Sequence, residues 1–263
     1  MNTRKYEAYQ LRTSNAKDVV DVLMIEHPLS ISINGEPFTL TMQTPGDEFD
    51  LARGILFTEG VFKSRVIQPG VEVVLTSDDG FISTINVKVD AGHLDKSQLN
   101  KRNLLSVASC GICGKTELTL PAGESLTSPR SLNFDIIHSM FNKMTSEQNA
   151  FMVSGGCHAA AIFNVEQQML GIKEDIGRHN AVDKVIGKLL HDQRLNEATY
   201  LLVSGRVSYE IITKCFIAGI PFLLAVSAPS SLAVDFAKEL GITLIAFCRD
   251  DRATVYSHAE RIL

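Results

Sequence analysis

Residues 200–226 read YLLVSGRVSYEIITKCFIAGIPFLLAV, and this stretch decides the fold. The apolar runs 200–203 and 222–226 have the length and composition of buried strands, whereas 208–218 has apolar residues at helical spacing. A strand, a helix and a second strand in this order predict two strands that lie parallel in one sheet, joined by a right-handed connection.

The same alternation continues on both sides of this unit. Further strands are predicted at 243–247 and, as a hairpin, at 159–164 and 170–174. Helices are predicted at 131–144, 180–191, 208–218 and 231–240. The apolar run at 151–153 is predicted to be one more strand in this series. We therefore predict a mainly parallel sheet covered by helices on both faces. This C-terminal α/β domain of three layers would span residues 131–263.

The first half of the chain has a different pattern. Residues 30–35 close on Asn-Gly, which is a hairpin signal, and 71–74 and 82–89 are rich in β-forming residues. Residues 45–57 have acidic side chains first and apolar ones at helical spacing after them, which predicts a helix. We predict a small N-terminal α+β domain over residues 1–130, so that the chain as a whole is of the α/β class.

Composition excludes several classes of protein. A chain of 263 residues with 45% hydrophobic and 21% charged residues can build a packed core, and its net charge of -5 gives no general attraction for nucleic acid. The start lacks the apolar core of a secretion signal, and no apolar run is long enough to span a membrane. Five cysteines, an odd number, suit a reducing compartment. We expect a cytoplasmic protein whose partners include neither nucleic acid nor membrane.

Residues 109–115, SCGICGK, hold the strongest candidate for chemistry. Cys110 and Cys113 are two residues apart and flanked by glycines, Lys115 follows, and Lys101 and Arg102 lie upstream. Cationic neighbours lower the pKa of a thiol, and glycines give a loop freedom to move. A thiol of this kind can accept sulfur from a donor, carry it and present it to an acceptor.

Other interpretations of the cysteine pair stay open at this level. It could be half of a structural zinc site, completed by Cys157, His158 or His179, or a dithiol for disulfide exchange, or a purely structural pair. Cys215 lies on an apolar helix and Cys248 at the end of an apolar strand, where a free cysteine is usually a small core residue.

Polar loops follow the predicted strands and indicate a second site. In an open α/β sheet, ligands bind beyond the carboxyl ends of the strands, where glycine, serine and basic residues can hold phosphate. A phosphorylated or nucleotide-bearing ligand is therefore expected. The loops are 154–158, 177–180, 204–208, 227–230 and 248–252, and the candidate ligand-binding residues among them are Gly177, Arg178, His179, Ser204, Gly205 and Arg206.

The helix start at His179 also suggests a zinc deaminase, whose motif places a glutamate two residues after the histidine. Here Ala181 occupies that position, and residues 205–208 supply no cysteine ligands. The architecture can be related to the deaminases, but there is no basis for zinc-activated water.

Motifs along nearly the whole chain resemble the FdhD-type formate dehydrogenase accessory sulfurtransferases. They fall at residues 44–60, 109–115, 155–160, 174–184, 204–206 and 227–229. The resemblance implies a second domain similar to the cytidine deaminase fold. It also implies a sulfurtransferase that takes sulfur from a cysteine desulfurase as a persulfide on Cys110, with Cys113 assisting as a second thiol.

The resemblance further implies an acceptor for that sulfur. This is the molybdenum cofactor in its guanine dinucleotide form, molybdenum bis(molybdopterin guanine dinucleotide), which is sulfurated before insertion into formate dehydrogenase. No structural metal is expected. A cofactor with two pterin nucleotides is compatible with a homodimer, and the alternative function is a non-enzymatic chaperone for the same cofactor. The family's cofactor-binding segment corresponds here to Phe247, Cys248, Arg249, Asp250, Asp251 and Arg252.

Overall fold

The computed structural model describes residues 2–95, 97, 120–128, 130–249 and 251–263. The described strands form a two-stranded, a four-stranded and a six-stranded sheet. The first pairs β1 (Thr3–Leu11) with β2 (Ala16–Met24); the second has the order β4-β3-β6-β5, from β3 (His27–Ile33), β4 (Glu36–Gln43), β5 (Gly70–Thr76) and β6 (Ile82–Lys88). The third has the order β12-β11-β10-β9-β7-β8, from β7 (His158–Phe163), β8 (Met169–Asp175), β9 (Tyr200–Val203), β10 (Phe222–Ala225), β11 (Thr243–Arg249) and β12 (Arg252–Val255).

Six α-helices accompany these sheets in the described ranges. They are α1 (Glu48–Thr58), α2 (Phe134–Ser146), α3 (Asn149–Ser154), α4 (Arg178–His191), α5 (Tyr209–Ile217) and α6 (Ser231–Glu239). None of the helices among the described residues combines the length and the apolar character needed to cross a membrane. The α/β class predicted from the sequence is confirmed.

The six-stranded sheet is mixed, so the prediction of a mainly parallel sheet is wrong. β10 is parallel to β9 and β11, as the 200–226 stretch predicts, but β7, β8 and β12 are antiparallel to their neighbours. The reason is connection length. A helix bridges each parallel step, whereas β7 to β8 and β11 to β12 are joined by short turns, which permit only antiparallel pairing.

Helices cover both faces of this sheet, which gives the three layers predicted for the C-terminal half. On one face, α4, α5 and α6 pack on alternate sheet residues such as Leu201 and Leu223. On the other face, α2 packs on residues such as Leu202 and Leu224. Because successive strand residues point to opposite faces, a continuous apolar strand supplies both layers.

The predicted hairpin at Asn34-Gly35 is confirmed and closes β3 onto β4. Both residues have positive φ, 53° and 88°, which a two-residue hairpin turn requires. The Asn34 side chain also donates to Val89 O (2.8 Å) and accepts from Val89 N (2.9 Å), which ties the turn to the end of β6.

Two parts of the chain differ from the sequence expectation. Residues 151–153 belong to helix α3 and not to a strand; Gly155, with a φ of 63°, ends this helix. The β1–β2 hairpin was not predicted. Nearly all of its residues are exposed, so it lacks the alternation of buried and exposed positions that identifies a strand from sequence.

Helix α1 of the first half packs closely against α4 of the second half. A Cβ atom on Gly54 would lie 1.9 Å from Asp183 O, and one on Gly187 would lie 1.8 Å from Asp50 O. The two helices therefore cross at a distance that only glycine permits. The division into domains at residues 130 and 131 stays a prediction.

Candidate functional site

One edge of the six-stranded sheet gathers the polar loops singled out in the sequence. β9, β10 and β11 end there, and β7 begins there because it runs antiparallel to β9. Ser204 Oγ after β9 accepts a hydrogen bond from Ala159 N in β7 (2.9 Å), and Val207 N donates to Ala228 O after β10 (3.1 Å). The predicted convergence of these loops is confirmed, although 154–158 reaches the edge from a helix and not from a strand end.

Gly205 lets three of these segments approach each other. A Cβ atom at this position would lie 3.1 Å from His158 Nδ1 and 3.3 Å from Arg178 Cβ. Both distances are tighter than ordinary contacts, so a larger residue would push the loops apart. The sequence interpretation, that glycine here allows close approach, agrees with this geometry.

The charge at this edge is positive. Burial lowers the pKa of His158, and the nearby Arg178, His179 and Arg206 lower it further, against the opposing effect of Asp175. His158 is therefore neutral at neutral pH, and the two arginines supply the charge. Arg206 is exposed and Arg178 half-buried, so both can meet a ligand from solvent. This combination suits an anion such as phosphate.

The start of α4 is held in place by a buried carboxylate. Asp175 Oδ1 accepts hydrogen bonds from Gly177 N (2.7 Å) and Asn180 Nδ2 (3.1 Å). Asp175 Oδ2 pairs with Lys184 Nζ at 2.7 Å, and both side chains are completely buried. The negative charge of Asp175 is therefore matched inside the protein, and the N-terminus of the helix keeps its favourable field for an anion.

His179 contacts Ser208, which lies in the predicted loop 204–208, and Glu210, which the sequence interpretation missed. Its Nε2 atom lies 3.1 Å from Ser208 Oγ and 3.7 Å from Glu210 Oε2. Glu210 is buried on a helix whose other residues are largely apolar, and nothing within that helix indicates its contact with His179. Buried acids of this kind are found mainly where they are paired or functional.

The segment proposed from family resemblance to bind the cofactor lies at the same edge. β11 runs to Arg249, two residues further than predicted, and the pairing with β12 is irregular between Ala246 and Arg249. Phe247 has a φ of 53° at this irregularity, and Arg252 stacks over its ring at 5.9 Å. Arg249, Asp251 and Arg252 are exposed, Asp250 lies outside the described residues, and the Cys248 side chain is in the core.

Cys110 and Cys113 lie outside the described residues. The other three cysteines are free and buried. Burial, followed by the contact with Glu174, raises the pKa of Cys157 to about 12, and burial raises that of Cys248 to about 12 against a backbone hydrogen bond from Ala225. Complete burial raises the pKa of Cys215 as well. The prediction that Cys215 and Cys248 are core residues is confirmed, and none of the three is a thiolate at neutral pH.

Within the described ranges, no group of three or more His, Cys, Asp or Glu side chains is arranged to hold a metal ion. Cys157 Sγ instead donates to Glu174 Oε1 at 3.3 Å. Glu174 in turn accepts from Ala150 N and Phe151 N at the start of α3. Cys157 and Glu174 therefore form a hydrogen-bond network that holds the start of α3 beside the candidate site.

Comparison with known proteins identifies the family of this chain. Residues 24–263 match the family model of the FdhD/NarQ family. This chain belongs to the FdhD/NarQ family. A relative from Mycolicibacterium paratuberculosis called sulfur carrier protein FdhD is 44% identical over 251 residues, which are 92% of each chain. A relative of the same name from Sulfolobus acidocaldarius is 37% identical and covers 100% of this chain and 99% of its own.

One solved structure shares this fold over the whole chain. It is a crystal structure from Desulfotalea psychrophila, described as a formate dehydrogenase accessory protein, with 25% identity and a TM-score of 0.76 over 100% of both chains. The family resemblance expected from the motifs is therefore confirmed over the length of the chain.

Proposed function

We propose that this FdhD/NarQ protein is a sulfur carrier for the molybdenum cofactor of formate dehydrogenase. The observation that carries the proposal is family membership over residues 24–263, together with relatives named sulfur carrier protein that cover nearly the whole chain. The solved structure described as a formate dehydrogenase accessory protein supports formate dehydrogenase as the enzyme that receives the cofactor.

The proposed sulfur donor is a cysteine desulfurase, and Cys110 is the accepting residue. The Cys110 thiolate attacks the terminal sulfur of the desulfurase persulfide; a new S–S bond forms on Cys110, the old one breaks, and the desulfurase thiolate leaves. Cys113 then attacks Cys110 Sγ, which forms a disulfide and releases the carried sulfur as hydrosulfide for the molybdenum centre. The two thiols supply the two electrons that reduce this sulfur. Burial of the other three cysteines supports the choice of this pair.

The proposed acceptor is the guanine dinucleotide form of the cofactor, bound at the edge of the six-stranded sheet. Support comes from the positive charge of Arg178 and Arg206 and from the N-terminus of α4 beside them. The pyrophosphate of a dinucleotide is the group that such a cluster selects. Phe247 and Arg252 extend the same edge with an aromatic ring and a further cation.

The test is sulfur loading followed by measurement of intact mass. After incubation with a desulfurase and cysteine, we expect the wild type and Cys157→Ala to gain sulfur, and Cys110→Ala to gain none. Cys113→Ala should gain sulfur but release it slowly. Equal loading of wild type and Cys110→Ala would show that another residue carries the sulfur.

A second readout separates a carrier from a chaperone that only binds the cofactor. Cys110→Ala is supplied to cells or extracts that lack the wild-type protein, and formate dehydrogenase activity is measured. A sulfur carrier without Cys110 leaves the dehydrogenase inactive. Full activity with Cys110→Ala would replace the carrier proposal by the chaperone.

A further inference from the structure

Thr44 follows β4 in the first half of the chain, and all of its polar atoms bind one segment of the second half. Thr44 N donates to Asp175 Oδ2 (3.0 Å), and Thr44 Oγ1 accepts from Ile176 N (3.1 Å). Thr44 O accepts from Lys184 Nζ (2.6 Å). The three partners lie between the end of β8 and the second turn of α4. A single residue of one half therefore holds a continuous segment of the other.

This segment leads into the candidate site. β8 ends at Asp175 and α4 begins at Arg178, so only Ile176 and Gly177 connect them. The N–H group of Ile176 is bonded to Thr44. The N–H group of Gly177 is bonded to Asp175 Oδ1 (2.7 Å), on the carboxylate that Thr44 also contacts. The direction in which α4 leaves the sheet, and with it the place of Arg178, is therefore fixed by hydrogen bonds that lead back to Thr44.

A second contact joins the same two parts of the chain. Asn180 Nδ2 donates to Met42 O in β4 (2.7 Å) and to Asp175 Oδ1 (3.1 Å). Asp175 and Asn180 are both buried, so water does not compete for these bonds. The end of β4 is thus bonded to the start of α4 both before and after Arg178.

Thr44 is too buried to contact a ligand, since only 2% of it is exposed. Arg206 is exposed and Arg178 half-buried, so these two side chains are the ones that meet an anion from solvent. Their spacing depends on the start of α4, because a Cβ atom on Gly205, next to Arg206, would lie only 3.3 Å from Arg178 Cβ. A small displacement of this helix start therefore changes how the two arginines face a ligand.

We propose that Thr44 is a positioning residue of the anion site: its hydroxyl group holds the connection between β8 and α4 in the arrangement that places Arg178 beside Arg206 for a pyrophosphate group. Without the hydroxyl, Ile176 N loses its acceptor, and fewer molecules hold this arrangement. Apparent affinity falls with the fraction of molecules that are competent to bind. The inference rests on the nucleotide-bearing ligand of the proposed function and adds a residue of the first half on which its binding depends.

The experiment is titration calorimetry of the full-length protein with inorganic pyrophosphate and, separately, guanosine diphosphate. Thr44→Val keeps the shape of the side chain and removes its hydroxyl group. We expect Thr44→Val to bind both ligands about fivefold more weakly or worse than the wild type, as for loss of one orienting hydrogen bond. Thr44→Ser keeps the hydroxyl acceptor and should bind within about twofold of the wild type.

The matched control is Thr58→Val, the same substitution at another buried contact between the halves. Thr58 is also 2% exposed, and its Oγ1 donates to Asp183 Oδ1 (2.7 Å) and accepts from Lys214 Nζ (2.9 Å). In thermal unfolding, Thr58→Val should lose at least as much stability as Thr44→Val. Its affinity for pyrophosphate should nevertheless equal that of the wild type, because this contact does not hold the start of α4.

Amide hydrogen exchange of the wild type tests the same coupling without a substitution. Coupling between two sites is reciprocal, so a ligand that needs this arrangement also stabilises it. Saturating pyrophosphate should slow exchange of the Thr44 and Ile176 N–H groups more than that of Glu59 N–H, which is bonded to Ile55 O (3.0 Å). If Thr44→Val does not fold, this measurement decides by itself.

The proposal is overturned if Thr44→Val binds pyrophosphate like the wild type, or if Thr44→Ser binds as weakly as Thr44→Val. It is also overturned if Thr58→Val loses the same factor in affinity, or if pyrophosphate protects Thr44 and Glu59 equally. A wild type that binds neither ligand removes this inference and the proposed acceptor site together. Normal binding by the wild type with an unaffected Thr44→Val removes this inference alone.

Discussion

Burial decides the chemistry of the individual cysteines. Cys157, Cys215 and Cys248 lie in or beside the core, where the neutral thiol is favoured over the thiolate because charge is poorly solvated there. A group with a pKa of about 12, such as Cys157, is a thiolate in roughly one molecule in ten thousand at pH 8. Sulfur exchange on these three residues is correspondingly disfavoured.

Alkylation tests this directly. With iodoacetamide at mildly alkaline pH and peptide mapping over time, Cys157, Cys215 and Cys248 should stay unmodified in the folded protein while Cys110 reacts. In denaturant all five cysteines should react at similar rates, which serves as the control. Early modification of Cys157 in the folded protein would contradict the role given to burial.

Residue identities at the site were only partly predictable. Arg178, His179 and Arg206 could be named from the sequence because glycine and serine beside basic residues at strand ends form a recognisable pattern. Glu210 could not, because its meaning depends on His179, which is 31 positions earlier in the chain but 3.7 Å away. A contact between two helix starts has no signature within either helix.

At the scale of elements, the crossing of α1 and α4 depends on two glycines. Glycine in a helix interior is normally unfavourable, and replacing it by alanine stabilises an exposed helix by about 1 kcal/mol. Here the added methyl group would meet backbone atoms at 1.8 Å for Gly187 and 1.9 Å for Gly54. Because backbone cannot rotate away as a side chain can, packing outweighs helix propensity.

We therefore expect Gly187→Ala to destabilise the protein by about 3 kcal/mol or more, as overpacking does. Urea unfolding followed by circular dichroism measures the change. Gly92→Ala, at a position with open space around it, is the control and should change stability little. A stabilised Gly187→Ala variant would show that helix propensity dominates and that α1 does not cross α4 closely.

Helices and strands could be predicted from the sequence where burial imposes a periodic pattern of apolar residues. The strands at 200–203 and 222–225 and the helices α5 and α6 agree with the sequence to within a residue or two, because their apolar positions serve one core. The β1–β2 hairpin escaped prediction because its residues are mostly exposed. β12 escaped prediction because it has only four residues, which are exposed and half-buried in alternation. The prediction of a strand at residues 151–153, which belong to helix α3, is wrong because a run of three apolar residues fits a strand and a helix equally well.

At the scale of the molecule, the lysines of two buried ion pairs also donate hydrogen bonds that join the two halves of the chain. Lys184 pairs with Asp175 and also donates to Thr44 O (2.6 Å) in the first half. Lys214 pairs with Asp183 at 2.9 Å and donates to Thr58 Oγ1 at 2.9 Å, again across the halves. Such pairs are strongly destabilising to break because the remaining charge stays buried.

Lys184→Met should therefore lower the free energy of unfolding by about 3–5 kcal/mol and should destabilise both halves together. Far-UV circular dichroism and tyrosine fluorescence are followed in urea, with coincident single transitions expected. Lys188→Met breaks a partly exposed pair with Asp192, which directly follows the same helix, and should cost less than about 1 kcal/mol. Two separate transitions would show that the halves unfold independently.

The sequence by itself determined the α/β class, most helices and strands of the second half, the cysteine pair as candidate carrier, and the loops that meet at one sheet edge. These depend on local periodicity and on the rule that parallel strands end together, which are properties of short segments. Only the tertiary structure decided the mixed sheet order, the glycine crossing of α1 and α4, and the pairing of His179 with Glu210. Those features depend on which distant segments pack together, since burial and electrostatic pairing act through space and not along the chain.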